Sequence, residues 1–125
     1  MTNKKWIRVA IAAVAAACLS TGVAAAEGKR RVAMLVKNLG NGFFDAAHQG
    51  GEEAAKELGD IELIYTGPTT PTAEGQIETL NSLIAQRVDA IAVSANDADA
   101  LVPTLKRALS RGIKVVSYDS AVAIG

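Results

Sequence analysis

The stretch Lys37-Asn38-Leu39-Gly40-Asn41-Gly42-Phe43-Phe44 places a cation, two carboxamides and an aromatic pair within eight residues. Aromatic faces pack against the C–H faces of sugars, and lysine and asparagine donate hydrogen bonds to hydroxyls. Adjacent helical positions point about 100° apart. One phenylalanine is therefore expected to pack inward and the other to face a cleft, with the sequence leaving open which. Lys37 can equally be a solvated surface lysine. Asp119 directly follows the apolar run Lys114–Tyr118. A carboxylate there can accept two hydroxyl hydrogen bonds from one polyol, or cap a turn. Ser94, Asn96 and Asp97 follow another apolar run and are read as helix-cap and turn residues. His48 is the only histidine and has no nucleophile beside it in the sequence, which suits a surface or internally satisfied ring.

Several chemistries are excluded by what is missing around these residues. Gly40 and Gly42 are followed by Phe43, Phe44 and Asp45, so the third glycine of a dinucleotide fingerprint is lacking, and Tyr65-Thr66 offers no acid for a ribose. No Gly-Lys-Ser/Thr sequence forms a phosphate loop. No nucleophile–base pair or metal-ligand cluster stands out. The expectation is a binding protein with no catalytic residue, metal or cofactor.

The elements that must position these residues alternate along the chain. Short apolar runs at Arg31–Val36, Ile61–Tyr65, Ala90–Ser94 and Lys114–Tyr118 read as strands. Between them, Phe43, Ala47, Gly51, Ala54 and Leu58 recur at helical spacing, as do Ile77, Leu80, Leu83 and Ile84. The helices are expected at 43–58, 72–86 and 97–111, with Gly59 and Gly112 as stops and Pro103 near the start of the third. The order βαβαβαβ implies an α/β fold with a parallel sheet and helices on both faces. Ligands of such sheets bind at the carboxyl ends of the strands, here 37–44, 66–72, 94–99 and 119–121.

The first 26 residues read differently. Lys4, Lys5 and Arg8 precede an apolar run from Val9 to Leu19, and small residues Ser20–Ala26 end in Ala24-x-Ala26. This is the three-part pattern of a cleavable secretory signal peptide, and the run is too short to span a bilayer comfortably. The 125-residue chain balances 13 basic against 13 acidic side chains, but cleavage after Ala26 would leave 10 against 13. A mildly acidic domain has no electrostatic footprint for nucleic acid. The only cysteine, Cys18, lies inside the leader, where lipidation is the alternative fate. The domain expected at 27–125 then has no thiol, and its compartment is the periplasm.

Over residues 31–121 the chain resembles the periplasmic sugar-binding proteins of ABC transporters, in the ribose-binding (type I) class, and is similar within it to the rhamnose- and autoinducer-2-binding branch. The resemblance rests on Tyr65-Thr66-Gly67-Pro68-Thr69-Thr70-Pro71-Thr72, Gly75-Gln76, Asp89-Ala90-Ile91-Ala92-Val93-Ser94-Ala95 and Tyr118-Asp119-Ser120. It implies a two-lobed, monomeric protein that closes on a small sugar or polyol and delivers it to a membrane permease with ATPase subunits, or to a chemoreceptor. It also implies that Asn41, Phe43 and Phe44 line the pocket, that Lys37 contacts ligand, and that Asp119 grips hydroxyls. Ribose- and galactose-type members usually carry arginine after that aspartate. Ser120 stands there instead, which favours rhamnose or autoinducer-2 over ribose; Tyr118 in place of a branch tryptophan is a mild departure. A sugar-responsive repressor would begin with a basic helix-turn-helix rather than a leader. Members of the class are about three times as long, so the natural protein is expected to continue past Gly125. The 27–125 stretch alone would be an incomplete N-terminal lobe, with weak sugar binding or none.

Overall fold

The computed structural model describes residues 28–124. The leader expected at 1–26, with Cys18, lies outside the described residues. The chain runs β1 (Arg30–Leu35), α1 (Gly42–Leu58), β2 (Ile61–Thr66), α2 (Ala73–Ala85), β3 (Ala90–Val93), α3 (Val102–Ser110) and β4 (Lys114–Ser117). The four strands form one parallel sheet in the order β2-β1-β3-β4. At its carboxyl edge Leu35 stands opposite both Thr66 and Val93, and Val93 opposite Ser117. The α/β reading therefore holds, and the sequence adds a crossing: β2 pairs on one side of β1, and α2 carries the chain over to β3 on the other.

Alternation along β1 divides the core into two layers. Ala33 and Leu35 join Leu80, Leu83, Leu105 and Ala108 under α2 and α3, whereas Met34 and Val36 meet Phe44, Leu63 and Tyr118 on the α1 face. Because α1 and α3 lie on opposite faces, the chain changes direction between the adjacent strands β1 and β3, the position at which sheets of this kind form a ligand crevice.

Local chemistry sets the helix ends. The Asn41 Oδ1 accepts the Phe43 N–H at 3.0 Å and caps α1. Gly59 closes that helix at φ 77°, a left-handed conformation that favours glycine. Gly51 supplies the close approach of α1 to the sheet, since a Cβ there would lie 2.8 Å from Leu63 Cδ2. Helix α3 corrects the expected start at 97. Asp97 Oδ1 accepts the N–H groups of Asp99 and Ala100, forming a side-chain turn that competes with helix. Pro103 has no N–H for an i→i−4 bond, so it belongs in the first turn and the helix begins at Val102.

Candidate ligand-binding site

Three neighbouring strands aim their ends at one point. Lys37 follows β1, Ser94 follows β3 and Asp119 follows β4. The Ser94 hydroxyl donates to Asp119 Oδ2 at 2.7 Å, the Lys37 Nζ lies 3.6 Å from the same oxygen, and the Ser120 hydroxyl approaches it at 3.4 Å. Asp119 Oδ1 has no hydrogen-bond donor among the described residues and stays available to a ligand hydroxyl. The Ser94 bond above all, assisted by the Lys37 charge and Ser120, holds the carboxyl below its ordinary value despite some desolvation. The group is thus ionised at neutral pH, and any stability it contributes is lost only as pH falls through that lowered value. Its φ of 57° is the left-handed region, where aspartate is among the better-tolerated residues, and it turns the carboxylate back over the end of β3.

Ser94 departs from the expected capping role. It is fully buried and holds Asp119 rather than a helix end. Asn96 also does more than turn the chain: its Nδ2 donates to the carbonyls of Lys37 at 2.9 Å and Thr72 at 3.3 Å. Gln76, for which the residues alone suggested no role, lies buried beneath these loops.

The aromatic pair separates cleanly. Phe43 is 59% exposed, while Phe44 is 3% exposed and packs with Met34, Val36 and Tyr118. Phe44 is thus the inward-packing member of the pair, and it supports Phe43 edge-on at 5.1 Å between centroids. Phe43 carries the exposed ring beside Asn41, whose oxygen is committed to the helix cap. Phe44→Ala should cost about 3–5 kcal/mol of stability, as a buried aromatic does. Phe43→Ala should stay within about 0.5 kcal/mol. Urea denaturation of the two variants checks this contrast.

On the same face His48 stacks on Tyr65 with centroids 4.1 Å apart and meets Glu52 at 3.2 Å, while the Tyr65 hydroxyl donates to Asp45 at 3.0 Å. These contacts tie α1 to β2. Tyr118 is different: its hydroxyl oxygen is buried and unpartnered among the described residues. Burial first, then the nearby Tyr65 and Asp119, pushes its pKa from 10.0 up to about 12. A buried hydroxyl without a partner costs about 1–3 kcal/mol. Tyr118→Phe should therefore raise the midpoint of urea denaturation. Because the ring ionises more easily in the unfolded chain, the fold loses stability as pH climbs from 10 towards 12, whereas below pH 10 the ring is neutral in both states. The phenylalanine variant should lack this alkaline loss.

The periplasmic binding protein domain family matches residues 32–125. The chain is 36% identical over 120 residues to the D-ribose/D-allose-binding protein of Pseudomonas aeruginosa, covering 90% of this chain and 38% of that protein. Among solved structures it is similar to LsrB from Clostridium saccharobutylicum in complex with AI-2, at 30% identity and TM-score 0.71, over 74% of this chain and 28% of the other. It is also similar to an ABC transporter solute-binding protein from Clostridium phytofermentas with bound L-rhamnose, at 38% identity and TM-score 0.67, over 75% and 29% respectively. The chain thus spans less than two-fifths of the length of each of these relatives.

Proposed function

The chain belongs to the periplasmic binding protein domain family, and we propose that it supplies the first lobe of a solute-binding protein that captures a small sugar for an ABC importer. The observation that carries this reading is the Asp119 carboxylate, gripped through one oxygen by Ser94 and Lys37 at the carboxyl ends of three strands, with its other oxygen free. Such a carboxylate accepts ligand hydroxyls without reorganising, and the exposed Phe43 offers an apolar face for the C–H side of a ring. The lobe spans 27–125 behind a cleavable leader, acts in the periplasm as a monomer, and closes against a second lobe before docking on a permease with its ATPase subunits. It performs no catalysis.

The ligand class we favour is a compact polyol bearing a methyl group, rhamnose or autoinducer-2, rather than ribose. Lys37 and Asp119 serve the hydroxyls, Phe43 covers the methyl, and Ser120 stands where ribose- and galactose-type proteins usually carry arginine. Similarity to proteins solved with AI-2 and with L-rhamnose supports this choice, while similarity to a ribose/allose-binding protein keeps ribose as the competitor. Calorimetric titration of the two-lobed protein with L-rhamnose, autoinducer-2 and D-ribose decides between them. One of the first two should bind tightest. Tightest binding of ribose would contradict the ligand class, and no heat from any of the three would contradict the function.

A further inference from the structure

We infer that Gln76 is the positioning residue of this site: its buried carboxamide ties the carboxyl ends of β1 and β3 together and so fixes the spacing between Lys37 and Ser94, the two groups that hold Asp119. The assignment rests on the ligand-binding reading of Lys37 and Asp119 and adds what sets their geometry. The ladder between β1 and β3 ends at the pair Leu35 and Val93, with a last bond from the Ser94 N–H to the Leu35 carbonyl. Beyond it the two chains part towards opposite faces. The next carbonyls, those of Val36 and Ser94, are left without a ladder partner at the mouth of the crevice.

Gln76 closes that gap from α2. It is fully buried, and its Nε2 donates to the Val36 carbonyl at 3.1 Å and to the Ser94 carbonyl at 2.7 Å. Its Oε1 accepts the Asn96 N–H at 2.8 Å. Every hydrogen on the amide nitrogen is used, and the oxygen is engaged as well. Asn96 extends the tie by donating from Nδ2 to the Lys37 carbonyl. The clamp therefore grips the backbone on both sides of the crevice, at Ser94 itself and at the two carbonyls flanking the amide of Lys37. Asparagine carries the same groups on a side chain one methylene shorter, glutamate lacks the two hydrogens and would face two carbonyl oxygens with a third negative group, and a leucine would leave all three backbone groups unpaired in a dry setting.

The full chain with aspartate labelled at 13Cγ provides the test, comparing Gln76→Met, Asn96→Ala and Leu80→Ala. Methionine keeps the length of the side chain and removes its hydrogen bonds. Leu80→Ala is a buried truncation one turn further along α2 that loosens the core without touching the network. The Asp119 titration midpoint should rise towards the ordinary aspartate value in Gln76→Met, rise by a smaller step in Asn96→Ala, and stay in place in Leu80→Ala. An unmoved midpoint in folded Gln76→Met, or an equal rise in Leu80→Ala, overturns the assignment. If Gln76→Met does not fold, Asn96→Ala decides alone, and an unmoved midpoint there overturns it. These titrations need no sugar. A wild-type protein that binds no polyol would sink the proposed function while leaving this inference to stand or fall on Asp119 itself.

Discussion

Asp119→Ala is expected to reduce sugar affinity of the two-lobed protein by about 10²–10⁴-fold. A hydrogen bond to a charged group is worth about 1.5–3 kcal/mol, and two ligand hydroxyls on one carboxylate would lose both. Alanine also leaves the Ser94 hydroxyl and the Lys37 ammonium without the oxygen they share. It must further adopt φ near 57°, which alanine tolerates less well than aspartate. Asp119→Asn separates these effects. Asparagine accepts the left-handed backbone and keeps one oxygen, so it should retain the fold and lose affinity through the missing charge. Calorimetry gives the affinities, and a thermal melt of each variant shows whether the fold survives. Full affinity in Asp119→Asn would mean that the charge plays no part. The same carboxylate sets an acid limit: because its pKa is lowered, binding should persist into mildly acid solution and fail only as pH drops through that value.

Leu35→Ala should be the most damaging of the aliphatic changes on the sheet. Leu35 is fully buried, lies on the central strand between Thr66 and Val93, and packs into the layer under α2 and α3. Removing a buried leucine side chain costs about 2–5 kcal/mol, against a total stability of about 5–15 kcal/mol for ordinary domains. A melting temperature lower by at least about 10 °C is the expected result, read by circular dichroism. Val116→Ala makes the internal comparison. Among the described residues Val116 stands on the outermost strand, β4, and is 60% exposed. Its truncation should change stability by less than about 0.5 kcal/mol. Similar losses at the two positions would mean that the sheet is not packed as described.

Much of this architecture was legible because hydrophobic period and turn chemistry agree along the chain. The apolar runs become strands to within a residue at either end, and Asn41, Thr72 and Gly59 mark helix ends by their own side-chain or backbone chemistry. The start of α3 was misplaced where Asp97 competes with the helix, although Pro103 already carried the information that it must lie in a first turn. Which phenylalanine faces out could not be read, since both are equally apolar and only the placement of Tyr118 and Met34 decides it. Ser94 and Gln76 were missed as site residues for a related reason. Both are polar groups whose partners lie far away in sequence, at Asp119, Val36 and Asn96. Gln76 did carry a signal: it falls four residues before Leu80 and eight before Ile84, a polar residue on an otherwise apolar helical stripe. Such a residue must find buried partners, and the crevice between β1 and β3 is where unpaired carbonyls wait.

The most direct measurement is the 13Cγ resonance of Asp119 in the two-lobed protein, followed while L-rhamnose or autoinducer-2 is added. A sugar held by this carboxylate should shift the signal saturably, together with the ring signals of Phe43, while residues such as Arg87 and Arg111 at the opposite end of the sheet stay still. A sugar that binds while Asp119 and Phe43 remain unmoved would place the ligand elsewhere and contradict the site.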